Sequence, residues 1–308
     1  MAFANGKLIL LGEHAVVYGS PAIACGIQRG VFARADPAQV GELVIGERRI
    51  SADPTSGNDL SRALQALLGE LALGPHCITL RIELPTGAGL GASAAMGVAC
   101  ARAVLEAHGL PCESRRVLAA AGAWERVFHG NPSGIDAAAA ERGGCLWFTK
   151  AEGIQPLALA CDLPAVVAIA GPPASTREMV EQVARLAAAK PELVQRSMSS
   201  ITALVRNGRT ALEHGDFAAL GQLMNLNQML LAGLFVSTDG IERACGVARD
   251  AGAWGAKLTG SGGGGAIVAI AEDPERVVSA LRSEGFESFV TQVQAVPSSG
   301  LDPMRVES

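Results

Sequence analysis

The sequence predicts an α+β protein in two parts, and three observations predict it. At 308 residues the chain is long enough for two domains or one large one. Apolar residues recur with the period of strands in several segments of the first half, whereas four consecutive segments after residue 175 carry helical periodicity. Between them the composition shifts over Cys161–Pro173, where a strand at 165–170 runs into Gly171-Pro172-Pro173. The boundary is set there, giving domains 1–163 and 164–308.

Taken in order, residues 6–35 read as strands around a turn. Gly6–Leu11 comes first, then Gly12-Glu13-His14, then Ala15–Tyr18 with Gly19-Ser20-Pro21, and then a long strand at 22–35. Lys7, Glu13 and His14 are ionisable groups embedded in an apolar segment, where functional polar residues stand out. Taken singly, each is more often a strand-end charge at the surface. A hairpin through 44–50 and a helix over 59–73 read as scaffold.

Ile78, Leu80, Ile82 and Leu84 then alternate with Thr79, Arg81 and Glu83, the period of a half-buried strand. It leads into Pro85-Thr-Gly-Ala-Gly-Leu-Gly-Ala-Ser-Ala-Ala95, and residues 93–107 read as a helix stopped by Gly109. Gly87, Gly89 and Gly91 permit positive φ and leave backbone N–H groups and a helix N-terminus free to converge on an anion. No lysine follows Gly91, which excludes a Walker A loop. A dinucleotide fingerprint fails on context, because Glu106 falls inside the helix rather than at the end of a second strand. A tight strand-to-helix turn with no ligand is the competing reading of these glycines.

A second helix over 114–128, closed by Gly130, sets Glu125 and His129 one turn apart. The loop Asn131-Pro-Ser-Gly-Ile-Asp136 enters an alanine-rich turn, followed by a strand at 143–148. Asp136, beside four alanines, is either a helix-start carboxylate favoured by the dipole or a base in a dry pocket. Glu125 reads equally as a solvated helix charge and His129 as a dipole partner. Helices are expected over 176–189, 192–214, 216–235 and 238–251. The stretch Lys257-Leu-Thr-Gly-Ser-Gly-Gly-Gly-Gly265 suits a loop pressed against another backbone or a ligand, a plain flexible turn being the alternative. A strand at 266–271, a helix at 274–284 and a strand at 288–296 complete the chain.

Composition narrows the function classes. Hydrophobic residues make up 49% and charged ones 18%, with 37 glycines, which describes a globular chain. A net charge of −5 without a basic stripe argues against nucleic acid. The N-terminus lacks a signal peptide, and the apolar run 157–174 is broken by Asp162 and prolines, so no membrane span and a cytoplasmic location are expected. Seven cysteines without a C-x-x-C pair predict reduced, mostly buried thiols rather than disulfides or zinc.

Three separated stretches carry a family resemblance. Gly6-Lys-Leu-Ile-Leu-Leu-Gly-Glu-His-Ala-Val-Val-Tyr-Gly19, residues 85–95 and Gly255-Ala-Lys-Leu-Thr-Gly-Ser-Gly-Gly-Gly-Gly265 resemble the three motifs of the mevalonate kinase family. That family lies within the superfamily of galactokinase, homoserine kinase, mevalonate kinase and phosphomevalonate kinase, or GHMP kinases. The Gly130–Asp136 stretch narrows the match, which covers nearly the whole chain. The resemblance implies a two-domain α+β fold, with an N-terminal mixed-sheet domain and a C-terminal mainly helical domain with an antiparallel sheet. It implies ATP-dependent phosphorylation of mevalonate with Mg²⁺, with mevalonate and ATP as small-molecule partners; a homodimer is compatible with it.

Site roles follow from the same resemblance. Asp136 and Lys7 would be catalytic, Asp136 taking the proton of the substrate's primary hydroxyl. Pro85, Gly87, Ala88, Gly89, Leu90, Gly91, Ala92, Ser93 and Ala94 would wrap the ATP phosphates, and Ser93 with Glu125 would hold the metal. Glu13, His14, Ser133, Gly134 and Thr176 would line the substrate side, with Lys257, Thr259, Gly260, Ser261 and Gly262 as the supporting third motif. Phosphoryl transfer to an alcohol needs such a base, a metal and cations. Asn5 stands where the family usually has proline, Ala92 where serine is common, and Ala137 where asparagine often follows the aspartate. A sister specificity, for phosphomevalonate or homoserine, is the runner-up. A non-catalytic sugar or nucleotide sensor is the reading from another class, but a sensor has no need to retain Lys7, Ser93, Glu125 and Asp136 together.

Overall fold

The computed structural model describes residues 1–85, 87–130 and 132–295. Over these the chain packs as two compact units built from interleaved segments. The first takes Met1–Lys7, Arg29–Pro85 and Gly91–Gly143; the second takes Leu8–Gln28, residues 87–90 and residues 144–295.

In the first unit, β1 (Ala2–Leu11) supplies its residues up to Lys7 and β2 (Ala22–Pro37) its C-terminal half; the rest of both strands belongs to the second unit. β3 (Glu42–Ile45) and β4 (Arg48–Ser51) form the expected hairpin, and β3 pairs in parallel with β5 (His76–Ile82). β5 runs antiparallel to β2, with Val31 opposite Ile82 and Pro37 opposite His76, which makes the sheet mixed. Its alternation is that of a strand with one face on a core: Ile78 and Leu80 are buried while Thr79 and Arg81 are exposed. Helix α1 (Asp59–Leu71) starts at Asn58, whose side chain accepts a 3.0 Å bond from the Leu60 amide, and buries Leu64, Leu67, Leu68 and Leu71. Helix α2 (Ala92–Ala107) is rich in alanine and packs against both α3 (Ser114–His129) and α4 (Ile135–Arg142). Arg102 of α2 donates to the Phe3 carbonyl at 2.7 Å and to Glu141 at 3.1 Å, tying β1, α2 and α4 together.

In the second unit the N-terminal half of β2 pairs with β6 (Cys145–Thr149), and β6 with β7 (Gly153–Leu157). A separate antiparallel sheet has the order β11-β8-β10-β9, from β8 (Leu163–Gly171), β9 (Gly255–Thr259), β10 (Gly265–Ile270) and β11 (Ser288–Val293). Helices α5 (Thr176–Ala189), α6 (Pro191–His214), α7 (Phe217–Gly233), α8 (Asp239–Asp250) and α9 (Pro274–Ser283) complete it. α7 packs on β9, α8 on β8, β9 and β10, and α9 on β8 and β11.

The α+β class, the mixed N-terminal sheet and the helical C-terminal part with an antiparallel sheet agree with expectation. Four local readings do not. Ala15–Tyr18 is a single 3-10 turn rather than a strand, because the backbone reverses at His14 (φ 59°) and again at Gly19 (φ 90°). The alanine-rich turn after Asp136 is a full two-turn helix, α4, as alanine's propensity allows. β7, interrupted by Pro156, and β9, which carries Lys257 inside an apolar strand, went unanticipated. Positions 86 and 131, and Val296 at the end of the last expected strand, lie outside the described residues.

All seven cysteines are unpaired thiols, and Cys25, Cys100, Cys145 and Cys245 are buried. Burial pushes Cys100 and Cys245 up to about 12, far from any thiolate chemistry at neutral pH. Among the described residues no helix is long and apolar enough to cross a membrane.

Candidate active site

The first unit gathers four of the predicted residues. Lys7 lies on β1 with its side chain 7% exposed, and its Nζ stands 3.1 Å from Oδ1 of Asp136, whose side chain is 38% exposed. Asp136 occupies the first turn of α4, so the helix dipole favours its charge as well. Asn5 supports this arrangement by donating from Nδ2 to the Ala140 carbonyl at 3.2 Å, which ties β1 to α4 at the position where the family usually has proline.

Glu125, one residue beyond Trp124 on α3, is 3% exposed, and its Oε2 has no hydrogen-bond partner among the described residues. Burial, and secondly the charge of Asp136, raise its carboxyl to about 7, with Lys7 pulling the other way. Trp124 Nε1 donates to Ser93 Oγ at 3.4 Å, which sets the loop hydroxyl beside α3. A buried carboxylate with an orphaned oxygen, on the helix whose Trp124 contacts the Ser93 hydroxyl, suits a hard divalent cation. No group of three or more His, Cys, Asp or Glu converges among the described residues, so such an ion would take its remaining ligands from water or a phosphate.

Gly91 caps α2 in the left-handed region (φ 73°), and no side chain caps the helix. A Cβ at Gly91 would come within 3.0 Å of Lys7 Cβ, so glycine lets the start of α2 lie directly against the lysine. The amides of Ala92, Ser93 and Ala94 form the first turn, where N–H groups lack helical partners and an anion is favoured. Earlier in the loop Pro85 is half-buried, Gly87 and Gly89 are exposed, and Ala88 and Leu90 are buried. Ser133 is exposed and Gly134 caps α4 at φ 76°.

The raised Glu125 carboxyl has a stability consequence in metal-free, nucleotide-free protein. Its folded value of about 7 exceeds the ordinary 4.5, so the contribution is fully present below pH 4.5 and is lost as pH climbs through 7. At about 1.4 kcal/mol per pH unit the loss is roughly 3 kcal/mol. Glu125→Gln, neutral throughout, should melt close to wild type near pH 4.5 and a few degrees higher at pH 8. Equal melting differences at both pH values would show that Glu125 is not held as a buried, proton-bearing carboxyl.

The second unit holds Glu13, His14, Thr176 and the predicted residues of the third motif. His14 has φ 59° and ψ −45°, and the Ala15 amide donates to the Glu13 carbonyl at 2.6 Å, which makes a tight three-residue γ-turn of the rarer hand. For a residue other than glycine such a backbone costs on the order of 1–3 kcal/mol. His14 Nε2 bonds the Ser261 carbonyl at 2.8 Å, and burial lowers the imidazole's proton affinity. The neutral ring therefore donates from Nε2 and presents Nδ1 as an acceptor. Glu13, 1% exposed, forms an ion pair with the fully buried Lys257, whose own proton affinity burial lowers and Glu13 raises.

Around this pair, Asn227 Nδ2 donates to Glu13 Oε2 at 3.4 Å, and the Leu258 amide donates to Gln228 Oε1 at 2.9 Å. Thr259 accepts from the Ile9 amide at 2.8 Å and donates to the Ile9 carbonyl at 3.2 Å, stitching β9 to β1. Gly262 (φ 77°) lies so close to the Val236 carbonyl that a Cβ would meet its oxygen at 2.2 Å. Gly260 and Ser261 form the turn between, and exposed Thr176, at the start of α5, donates to Ser261 Oγ at 3.4 Å. Trp124, Asn227 and Gln228 were not singled out from sequence, and Asn5 was noted only as a departure from the family pattern. Two adjacent amides inside the apolar run of α7 were the one available signal.

Against this geometry stand the matches to known proteins. The family model for the GHMP kinases N terminal domain matches residues 58–144, and the GHMP kinases C terminal model matches 209–287. A mevalonate kinase of Pyrococcus abyssi is 34% identical over 95% of both chains, and one of Aeropyrum pernix is 34% identical over 89% of both. The crystal structure of L. major mevalonate kinase in complex with R-mevalonate superposes with a TM-score of 0.86 at 32% identity, covering 96% of each chain. A Lactococcus lactis galactokinase complexed with galactose shares the fold alone, at 16% identity and a TM-score of 0.74 over 98% of this chain and 94% of its own.

Proposed function

Because this chain belongs to the mevalonate kinase family of the GHMP kinases, we propose that it transfers the γ-phosphoryl group of ATP to the primary hydroxyl of mevalonate. The products are 5-phosphomevalonate and ADP, and the step belongs to isoprenoid precursor synthesis. The observation that carries the chemistry is the 3.1 Å pairing of Lys7 with Asp136 in the unit that also holds the start of α2.

Asp136 accepts the proton of the primary hydroxyl as its oxygen attacks the γ-phosphorus. Lys7 orients that carboxylate and offsets negative charge gathering on the transferred group. The loop from Pro85 through Ala94 receives the ATP phosphates on backbone amides, ending at the first turn of α2. Ser93 and Glu125 would hold Mg²⁺, which would supply positive charge against the phosphates during transfer. On the substrate side, His14 offers Nδ1 to a hydroxyl, and Ser133 and Gly134 lie just before α4. Thr176, at the positive end of α5, suits the mevalonate carboxylate.

ADP release measured with mevalonate, phosphomevalonate, homoserine, galactose and glycerol tests this. Mevalonate alone should give robust Mg²⁺-dependent turnover, and the ³¹P signal of the product should be split by the two protons of a primary carbon. A higher kcat/KM for phosphomevalonate or homoserine would replace the substrate while leaving the family in place. A folded protein that binds ATP but phosphorylates none of the five would be a sensor.

A further inference from the structure

We propose that Glu13 and Lys257 are positioning residues for the phosphoryl acceptor: the buried pair clamps the γ-turn that holds His14 in place, and neither side chain touches substrate. The inference deepens the kinase reading and rests on it.

Four observations, all within the second unit, point this way. Glu13 is 1% exposed and Lys257 not at all, so neither reaches a bound ligand directly. The Glu13 carboxylate is engaged on both oxygens, by Lys257 at Oε1 and by Asn227 at Oε2. Its backbone carbonyl closes the γ-turn, so the carboxylate's anchorage fixes the strained residue next to it. On the other side of that residue, the His14 ring is fastened to the Ser261 carbonyl, three residues beyond the Leu258 amide that Gln228 holds. His14 is thus held at backbone and ring by elements that meet at Lys257. A strained backbone persists only where its surroundings over-determine it, and this buried network does so. A lysine and a glutamate in an apolar interior add little net stability over an apolar pair, which leaves geometry as the role that explains both charges.

The test removes both charges at once, because deleting one would strand the other in the core. In Glu13→Gln/Lys257→Met, the His14 ring ¹H–¹⁵N signals should lose the fixed Nε2–H pattern in ligand-free protein. The acceptor KM should rise at least tenfold, while the ATP KM stays within about twofold. If the double variant does not fold, Asn227→Ala decides, since it frees one oxygen of the same carboxylate. It should raise the acceptor KM about threefold and broaden the same ring signals. Wild-type ring signals and wild-type acceptor KM in whichever variant folds would overturn the proposal. The ring signals need no turnover, so the clamp can be judged even if wild type phosphorylates none of the acceptors, a result that would count against the kinase reading instead.

Discussion

Asp136→Asn should lower kcat by roughly 10² to 10⁴, the span of a general base, with the ATP KM close to wild type. Asparagine keeps the shape and a hydrogen-bonding oxygen but cannot carry away the alcohol's proton. The first turn of α2 and its amides are untouched. The side chain is 38% exposed, so the fold should tolerate the change, losing the charge attraction to Lys7 and the modest interaction of a carboxylate with the α4 dipole. A melting curve taken alongside separates the two readings of this residue. Near-normal kcat in a folded variant would return Asp136 to being a helix-start carboxylate only.

Much of this site was legible because its residues break local rules. Lys7, Glu13 and His14 interrupt an apolar segment, and the glycines of residues 87–91 and 260–265 stand where no ordinary strand or helix would keep them. The helices of the second half were legible from period alone, and α5 begins and ends where expected. What escaped depends on contacts between distant segments. Whether Glu13 faces solvent, substrate or a buried lysine is not encoded in its neighbours; the answer lies at Lys257, on a strand that sequence reading took as part of a loop. The 3-10 turn at Ala15–Tyr18 escaped for a related reason, since four apolar residues fit a strand equally well until the backbone of His14 is known. Asn227 and Gln228 were hidden inside a helix that is apolar nearly all round, where only the burial of their amides marks them as a network.

Lys7→Met should lower kcat by roughly 10² to 10³, the cost of removing one preorganised group that stabilises transition-state charge. Stability should move little or upward. Methionine fills the same buried channel beside Gly91, and Asp136, left without its partner, keeps contact with solvent. A large loss of kcat with an unchanged or higher melting temperature would assign Lys7 to the chemistry. A variant that unfolds while its residual folded fraction keeps wild-type kcat would assign it to the scaffold.

The claim that Lys7 and Asp136 act as one unit on the acceptor hydroxyl is tested most directly by the double-mutant cycle. With kcat measured for wild type, Lys7→Met, Asp136→Asn and the pair together at saturating ATP, Mg²⁺ and mevalonate, residues that work as a unit give strongly non-additive losses. The double variant should be impaired little more than the worse single variant. Losses that simply multiply would contradict the pairing, even with each residue essential by itself.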